Sequence, residues 1–179
     1  PTAAPAAEPT EEPAATATLS PSAVNAAGLL ALVPTEVAGV SLALSTFEAT
    51  DVLAGGESDA LLLQLSDLAL EYDTERDRVA IAGGGAVGEA SFISVIGARL
   101  PGVPAEALQA SFVSLVLGPT DPALTAADTV AGQDVTVVRA NAEAGPEDTA
   151  YLLPMGEVLW LVIGDAGSLE AAIGALTAE

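Results

Sequence analysis

From Val37 onward the chain alternates apolar and polar positions with spacings that predict one element after another. Val40, Leu42 and Leu44 are interleaved with Ser41, Ala43 and Ser45, the period of two that marks a half-buried strand. Ser58-Asp59 then stand before Leu61, Leu62, Leu65 and Leu68, a spacing that puts the leucines on one helix face behind an N-cap. The acidic run from Glu71 to Asp77 reads as a solvated connection. Val79–Ala82 and Phe92–Ala98 are two β-rich runs separated by glycines, and they predict a hairpin with a glycine-rich loop. Pro104 suits the first position of a helix whose apolar stripe is Leu108, Phe112, Leu115 and Val116 and which stops near Gly118-Pro119. After a polar loop, Asp134–Arg139 reads as a strand with Val135 and Val137 on one face. Tyr151–Leu153 and Val158–Ile163 flank Pro154-Met155-Gly156-Glu157, a turn with proline at its second position, and predict another hairpin. Ser168 is placed to cap a last helix with Leu169, Ala172, Ile173 and Leu176 on one face.

The resulting order is β-α-β-β-α-β-β-β-α, and the fold class is α+β, an antiparallel sheet with helices packed against it. Val37-Ala38-Gly39 and Val130-Ala131-Gly132 each precede a strand, and each half ends in a hairpin that feeds a helix. That parallel suggests an internal duplication. Residues 1–22 differ in kind. Prolines at 1, 5, 9, 13 and 21 recur among Ala, Thr, Glu and Ser with one large apolar residue, Leu19, so burial there cannot offset ordering entropy. The segment reads as a disordered, partly polyproline tether before a single acidic domain over 23–179. A helical turn opened by Ser20-Pro21, carrying Leu29, Leu30 and Leu32, is expected to end at Pro34.

Charge narrows the chemistry. The chain has 179 residues with 25 acidic groups against four basic ones, all arginines, and a net charge of −21. Lysine, histidine and cysteine are absent, which removes imidazole and thiolate nucleophile pairs, Schiff bases and the P-loop lysine. Phosphate-backbone binding needs clustered cations, so nucleic acid is not expected as a partner, whereas a cationic one is compatible. Three of the acids, Glu8, Glu11 and Glu12, lie in the tether, so the acidity belongs to the domain itself. No apolar run approaches the ~20 residues of a membrane-crossing helix, and no cationic leader precedes an apolar stretch.

Three motifs invite a chemical reading. Gly83-Gly84-Gly85-Ala86-Val87-Gly88 matches G-x-G-x-x-G after a strand, but the β-branched run Phe92–Gly97 occupies the place of the phosphate-binding helix. A hairpin loop is the simpler reading, and no cofactor is assigned. Glu71, Asp73, Glu75 and Asp77 recur with the rhythm of a Ca²⁺ loop. A loop opening at Asp73 would need glycine at its sixth place and glutamate at its twelfth, where Arg78 and Gly84 stand. Asp121, Asp128, Glu147 and Asp148 are carboxylates on separate loops that spacing does not unite, so no metal site is assigned. No pair of carboxylates is marked out for general acid–base work, and no catalytic residue is assigned.

Val158-Leu159-Trp160-Leu161-Val162-Ile163 is apolar on both parities. Val158, Trp160 and Val162 share one face, and Leu159, Leu161 and Ile163 share the other. If helices cover only one side of the sheet, one of these sets must meet solvent, a protein partner or a small apolar ligand, and Val158, Trp160 and Val162 are the candidate face. The other reading is that a helix or the segment Leu29–Val33 covers it.

The tether, then Leu32-Val33-Pro34-Thr35-Glu36-Val37-Ala38-Gly39, then strands such as Val130–Val138 and Tyr151–Ile163, give a layout that resembles the mature region of bacterial cell-envelope or secreted lipoproteins of uncharacterised function. The resemblance spans the chain and is one of layout. The acylated cysteine that anchors such proteins is not among these residues. It implies an extracellular or cell-envelope location and a non-enzymatic role, in binding or surface display. The alternatives are a structural subunit docking through the strand around Trp160, and a carboxylate- or metal-dependent enzyme.

Overall fold

A computed structural model describes residues 25–48, 67–75, 78–88, 92–117 and 124–178. The tether, the helix behind Ser58-Asp59 as far as Leu65, and the acids Asp77 and Asp121 lie outside the described residues. So do the side chains of Phe112, Leu115 and Val116. The helix that carries Leu29 and Leu30 is opened not by Ser20-Pro21 but by Asn25, whose Oδ1 accepts from Gly28 N at 2.8 Å.

The fold is mixed α and β around an antiparallel sheet. A short helix α1 (Ala26–Leu30) leads into β1 (Glu36–Val37), β2 (Val40–Ser41) and β3 (Ala43–Glu48). Helical residues 67–71 precede β4 (Ala80–Val87) and β5 (Phe92–Arg99). Helix α2 (Ala105–Leu117) is followed by β6 (Thr125–Val130), β7 (Gln133–Arg139), β8 (Thr149–Met155), β9 (Val158–Gly164) and α3 (Ala166–Thr177). β1 and β2 form a separate hairpin, and the other seven strands make one sheet in the order β3-β4-β5-β9-β8-β7-β6, with every pairing antiparallel. The sheet is therefore two meanders joined at its centre, where β5 and β9 pair over their lengths from Ile93↔Gly164 to Arg99↔Val158.

Helices cover both faces, where the sequence led us to consider cover on one. On the front face Ala26, Leu29 and Val33 pack with Val95, Val158, Trp160 and Val162 and with Leu169, Ala172 and Ile173 of α3. On the back face Leu68, Ala69, Ala105 and Leu108 pack with Ala98, Leu152, Leu159 and Leu161. This is why β9 is apolar on both parities: a central strand between two helical layers has no solvent side. Backbone and side-chain bonds then fix the return of the chain from β5 to α2. Ala105 N donates to Gly156 O at 3.0 Å, and Gly102 N donates to Glu157 Oε1 at 3.1 Å. The Arg99 guanidinium, its side chain only 11% exposed, pairs with the same Glu157 carboxylate.

Four further local expectations change. Gly83, Gly84 and Gly85 are not a hairpin loop but the middle of β4, paired with both neighbouring strands. A Cβ on Gly83 would meet Val95 O at 2.7 Å, and one on Gly84 would meet Leu44 Cδ2 at 2.6 Å, so the glycines are where neighbours come close. The stretch before β7, read as a polar loop, contains the edge strand β6, whose side chains are largely exposed. Pro154 is not in the β8–β9 turn but in β8 opposite Leu159, and Gly156 at φ 61° makes the turn. The pairing of β8 with β7 runs only from Thr149 to Leu152, so the missing N–H of Pro154 interrupts no bond there. Finally, Asp165 rather than Ser168 is the N-cap of α3.

Both Val-Ala-Gly signals are two-residue hairpin turns. Ala38 and Gly39 have φ of 50° and 81°, and Ala131 and Gly132 have 51° and 76°, the paired positive angles of a type I′ turn. The helices that end the two halves lie on opposite faces, α2 behind the sheet and α3 in front.

Candidate functional site

The residues singled out in the sequence are core. Val158, Trp160 and Val162 are 0%, 2% and 0% exposed, and they face α1 and α3. Trp160 stands opposite Gly97 in the β5–β9 ladder, and a Cβ at Gly97 would lie 2.6 Å from the indole Cζ3. The indole thus occupies space that the glycine leaves empty. A docking partner would have to displace the protein's own helices to reach this face.

The open part of the front face lies further out. A cleft of about 520 Å³ is floored by β7 and β8 and walled by α3 and the loop that joins β7 to β8. Its lining includes Arg139, Pro146, Thr149, Tyr151, Leu169 and Glu170. Strand periodicity accounts for the floor. Val135 and Val137 of β7 and Leu153 of β8 belong to the front core, so Arg139 and Tyr151, two residues along, share that face. Arg139 pairs in register with Thr149, and Tyr151 with Val137.

Short-range hydrogen bonds shape the walls. Thr149, 6% exposed, donates its Oγ1 proton to Gly145 O at 2.8 Å, and Ala140 N donates to Asp148 O at 3.0 Å. Asn141 Oδ1 accepts from Glu143 N at 2.8 Å. The start of α3 is held by Asp165, whose Oδ1 accepts from Ser168 N at 3.1 Å and whose Oδ2 accepts from Ser168 Oγ at 2.8 Å and from Phe92 N at 3.3 Å. The bonds from Ser168, and after them those from Phe92 and Gly167, hold the Asp165 carboxyl below the usual carboxylate range against a smaller opposing effect of desolvation. Arg139 is exposed and makes no ion pair with a described carboxylate, whereas Arg78 pairs with Glu75 and Arg99 with Glu157.

A second cleft of about 500 Å³ lies on the back face between α2 and β6–β7, lined by Glu106, Gln109, Asp128, Asp134 and Thr136 among others. Gln109 Nε2 donates to Thr136 Oγ1 at 2.8 Å, and Gln109 Oε1 has no partner among the described residues. These acids are not gathered for metal binding: among the described residues no group of three or more acids is arranged to hold an ion. Of the run Glu71–Asp77, Glu71 and Asp73 lie at the end of the helical segment and Glu75 is bonded to Arg78. Gly83–Gly88, being strand for most of its length, offers no turn for a phosphate. No described helix is long and apolar enough to cross a membrane.

Sequence reasoning passed over Arg139 and Tyr151. A signal was present: Arg139 carries the parity of Val135 and Val137, and a cation on the core parity of a strand marks either a strand end or an opening in the cover. The search for related proteins found no family model, no curated protein and no solved structure that matches the chain.

Proposed function

We propose that this chain is a non-enzymatic, exported or cell-envelope domain that binds a small ligand in its front cleft, presented on an N-terminal tether. The observation that carries the reading is the cleft itself. It has the volume of a small-molecule site, and polar groups of Arg139, Thr149, Tyr151 and Glu170 stand beside apolar ones of Pro146 and Leu169. The side-chain inventory supports binding rather than catalysis, since no His, Cys or Lys is available anywhere in the chain. The composition of residues 1–22 supports the tether and the export reading. Cell fractionation tests the location: recovery in the envelope or the medium is expected, and recovery wholly in the cytosol overturns it. For binding, a library of small amphipathic molecules titrated into ¹⁵N-labelled protein should shift amides of β7, β8 and the start of α3, and saturable shifts confined to other surfaces would overturn the cleft.

We also propose that β2–β5 and β7–β9 derive from one duplicated unit. Superposing the two Val-Ala-Gly turns carries Ala43↔Gly85 onto Thr136↔Leu152, and then Gly85↔Ser94 onto Leu152↔Leu161. With Ser94 on Leu161, Val95-Ile96-Gly97 falls on Val162-Ile163-Gly164, an identity that the turns did not impose. The correspondence is one of strands, since the helices that follow take opposite faces. A profile built from relatives of one half should retrieve the other half, and failure to do so would overturn the proposal.

A further inference from the structure

Cover of the front face differs between the two meanders. Over β3 and β4 the sheet is covered by α1, whose Ala26 and Leu29 reach the front core. When the strands are superposed through their turns and ladders, Ala82 falls on Thr149, Gly84 on Tyr151 and Thr46 on Arg139. α1 lies over β3 and β4, and over their counterparts β7 and β8 the described residues leave the cleft. Its floor has a different chemistry as well. Where the first meander has a buried Gly84 packed by Leu42 and Leu44 and an exposed Thr46, the second offers a half-buried phenol and a guanidinium.

We propose that the ligand of this cleft is a small molecule with an apolar body and a single terminal carboxylate, an inference that rests on the cleft being a binding site. The body takes the place that α1 takes in the other half, against Tyr151, Leu169 and Pro146. The carboxylate meets Arg139, a planar five-donor cation suited to bidentate pairing. Two features restrict the charge to one. Glu170 lines the helical wall of the same cleft, and the chain as a whole carries −21, so a polyanion is repelled while a monoanion has its own cation close by. Arg139 is also the one described basic residue that lines either cleft.

The test compares 4-phenylbutyrate with its neutral isostere 4-phenylbutanamide, each titrated into the full ¹⁵N-labelled chain. The carboxylate is expected to bind about tenfold more tightly than the amide, from one charge-assisted pair, with shifts at Arg139, Thr149, Tyr151 and Leu169. In Arg139→Gln the preference for the carboxylate over the amide should disappear while the melting temperature stays unchanged. Arg139→Lys should recover part of the preference and guards against a folding defect in the first variant. Equal affinities for the two probes, or a preference that survives Arg139→Gln, overturn the carboxylate assignment and leave the cleft as a site for neutral ligands. Absence of saturable shifts in the cleft with both probes overturns the assignment together with the binding reading on which it rests.

Discussion

Gly97 and Trp160 show how a single position can be understood only through its partner. Glycine inside a strand ordinarily weakens it. Here the missing side chain is the seat of the indole, and a Cβ would lie 2.6 Å from Cζ3. Gly97→Ala is expected to destabilise the fold by roughly 1–3 kcal/mol through overpacking, and Trp160→Ala by roughly 3–5 kcal/mol through the cavity it leaves. Because the two share one space, the double variant should cost less than the sum in urea denaturation. Strict additivity would show that they do not compete for it. Asp165 makes a second prediction, on pH. Its carboxyl is held below the ordinary range in the folded state by Ser168, so its contribution to stability is complete above about pH 4 and is lost as pH falls through the lower, folded value. Asp165→Asn keeps the cap and removes the titration. Its melting temperature should lie below that of the parent at neutral pH, and the two should converge in acid. A gap that persists in acid would show that charge is not what the cap supplies. The sequence displayed the cap region and the tryptophan, but not their partners: Phe92 and Gly97 are far from them in the chain.

Strands and turns were legible to different degrees, for reasons that lie in how each is stabilised. β7, β8 and β9 bury alternating or continuous aliphatics and so announce themselves. β6 is an edge strand of small and polar residues, Thr125-Ala126-Ala127-Asp128-Thr129-Val130, held by its ladder to β7 rather than by burial, and periodicity has nothing to detect there. β4 was legible only as far as Ala82, for the opposite reason. Its three glycines read as a loop by propensity, and close packing against Leu44 and the Val95 backbone made them strand. The turns were the more local feature. Ala38 and Ala131 both hold φ near 50°, in the left-handed region that costs an alanine but suits asparagine. Ala131→Asn should therefore stabilise the fold by about 0.5–1 kcal/mol, and Ala38→Asn should do the same. Thermal denaturation checks both, and a loss of stability would mean that the alanine methyl packs usefully where it is.

Charge acts on the molecule as a whole. With −21 on 179 residues, the folded chain repels itself more strongly than its expanded, unfolded form does. Its melting temperature should rise between low salt and about 0.5 M NaCl, where screening confines each charge to a few ångströms. A flat response would mean that the surface acids are too dispersed to interact. The charge balance, the missing nucleophiles and the type of most elements could be read from the residues because they are sums or short-range patterns. The cover of the front face could not. Whether Val158, Trp160 and Val162 met solvent or a helix depended on α1 and α3, which come from opposite ends of the described chain and join one front core, α1 over β3–β5 and α3 over β5 and β9, only once the sheet has formed. The same holds for the cleft, since Arg139 and Tyr151 become its floor only because α1 lies over β3 and β4 while α3 leaves the outer part of β7 and β8 open. Local sequence dictates how each segment can bury its apolar face; which segment comes to lie over it is decided by contacts between residues distant in the chain.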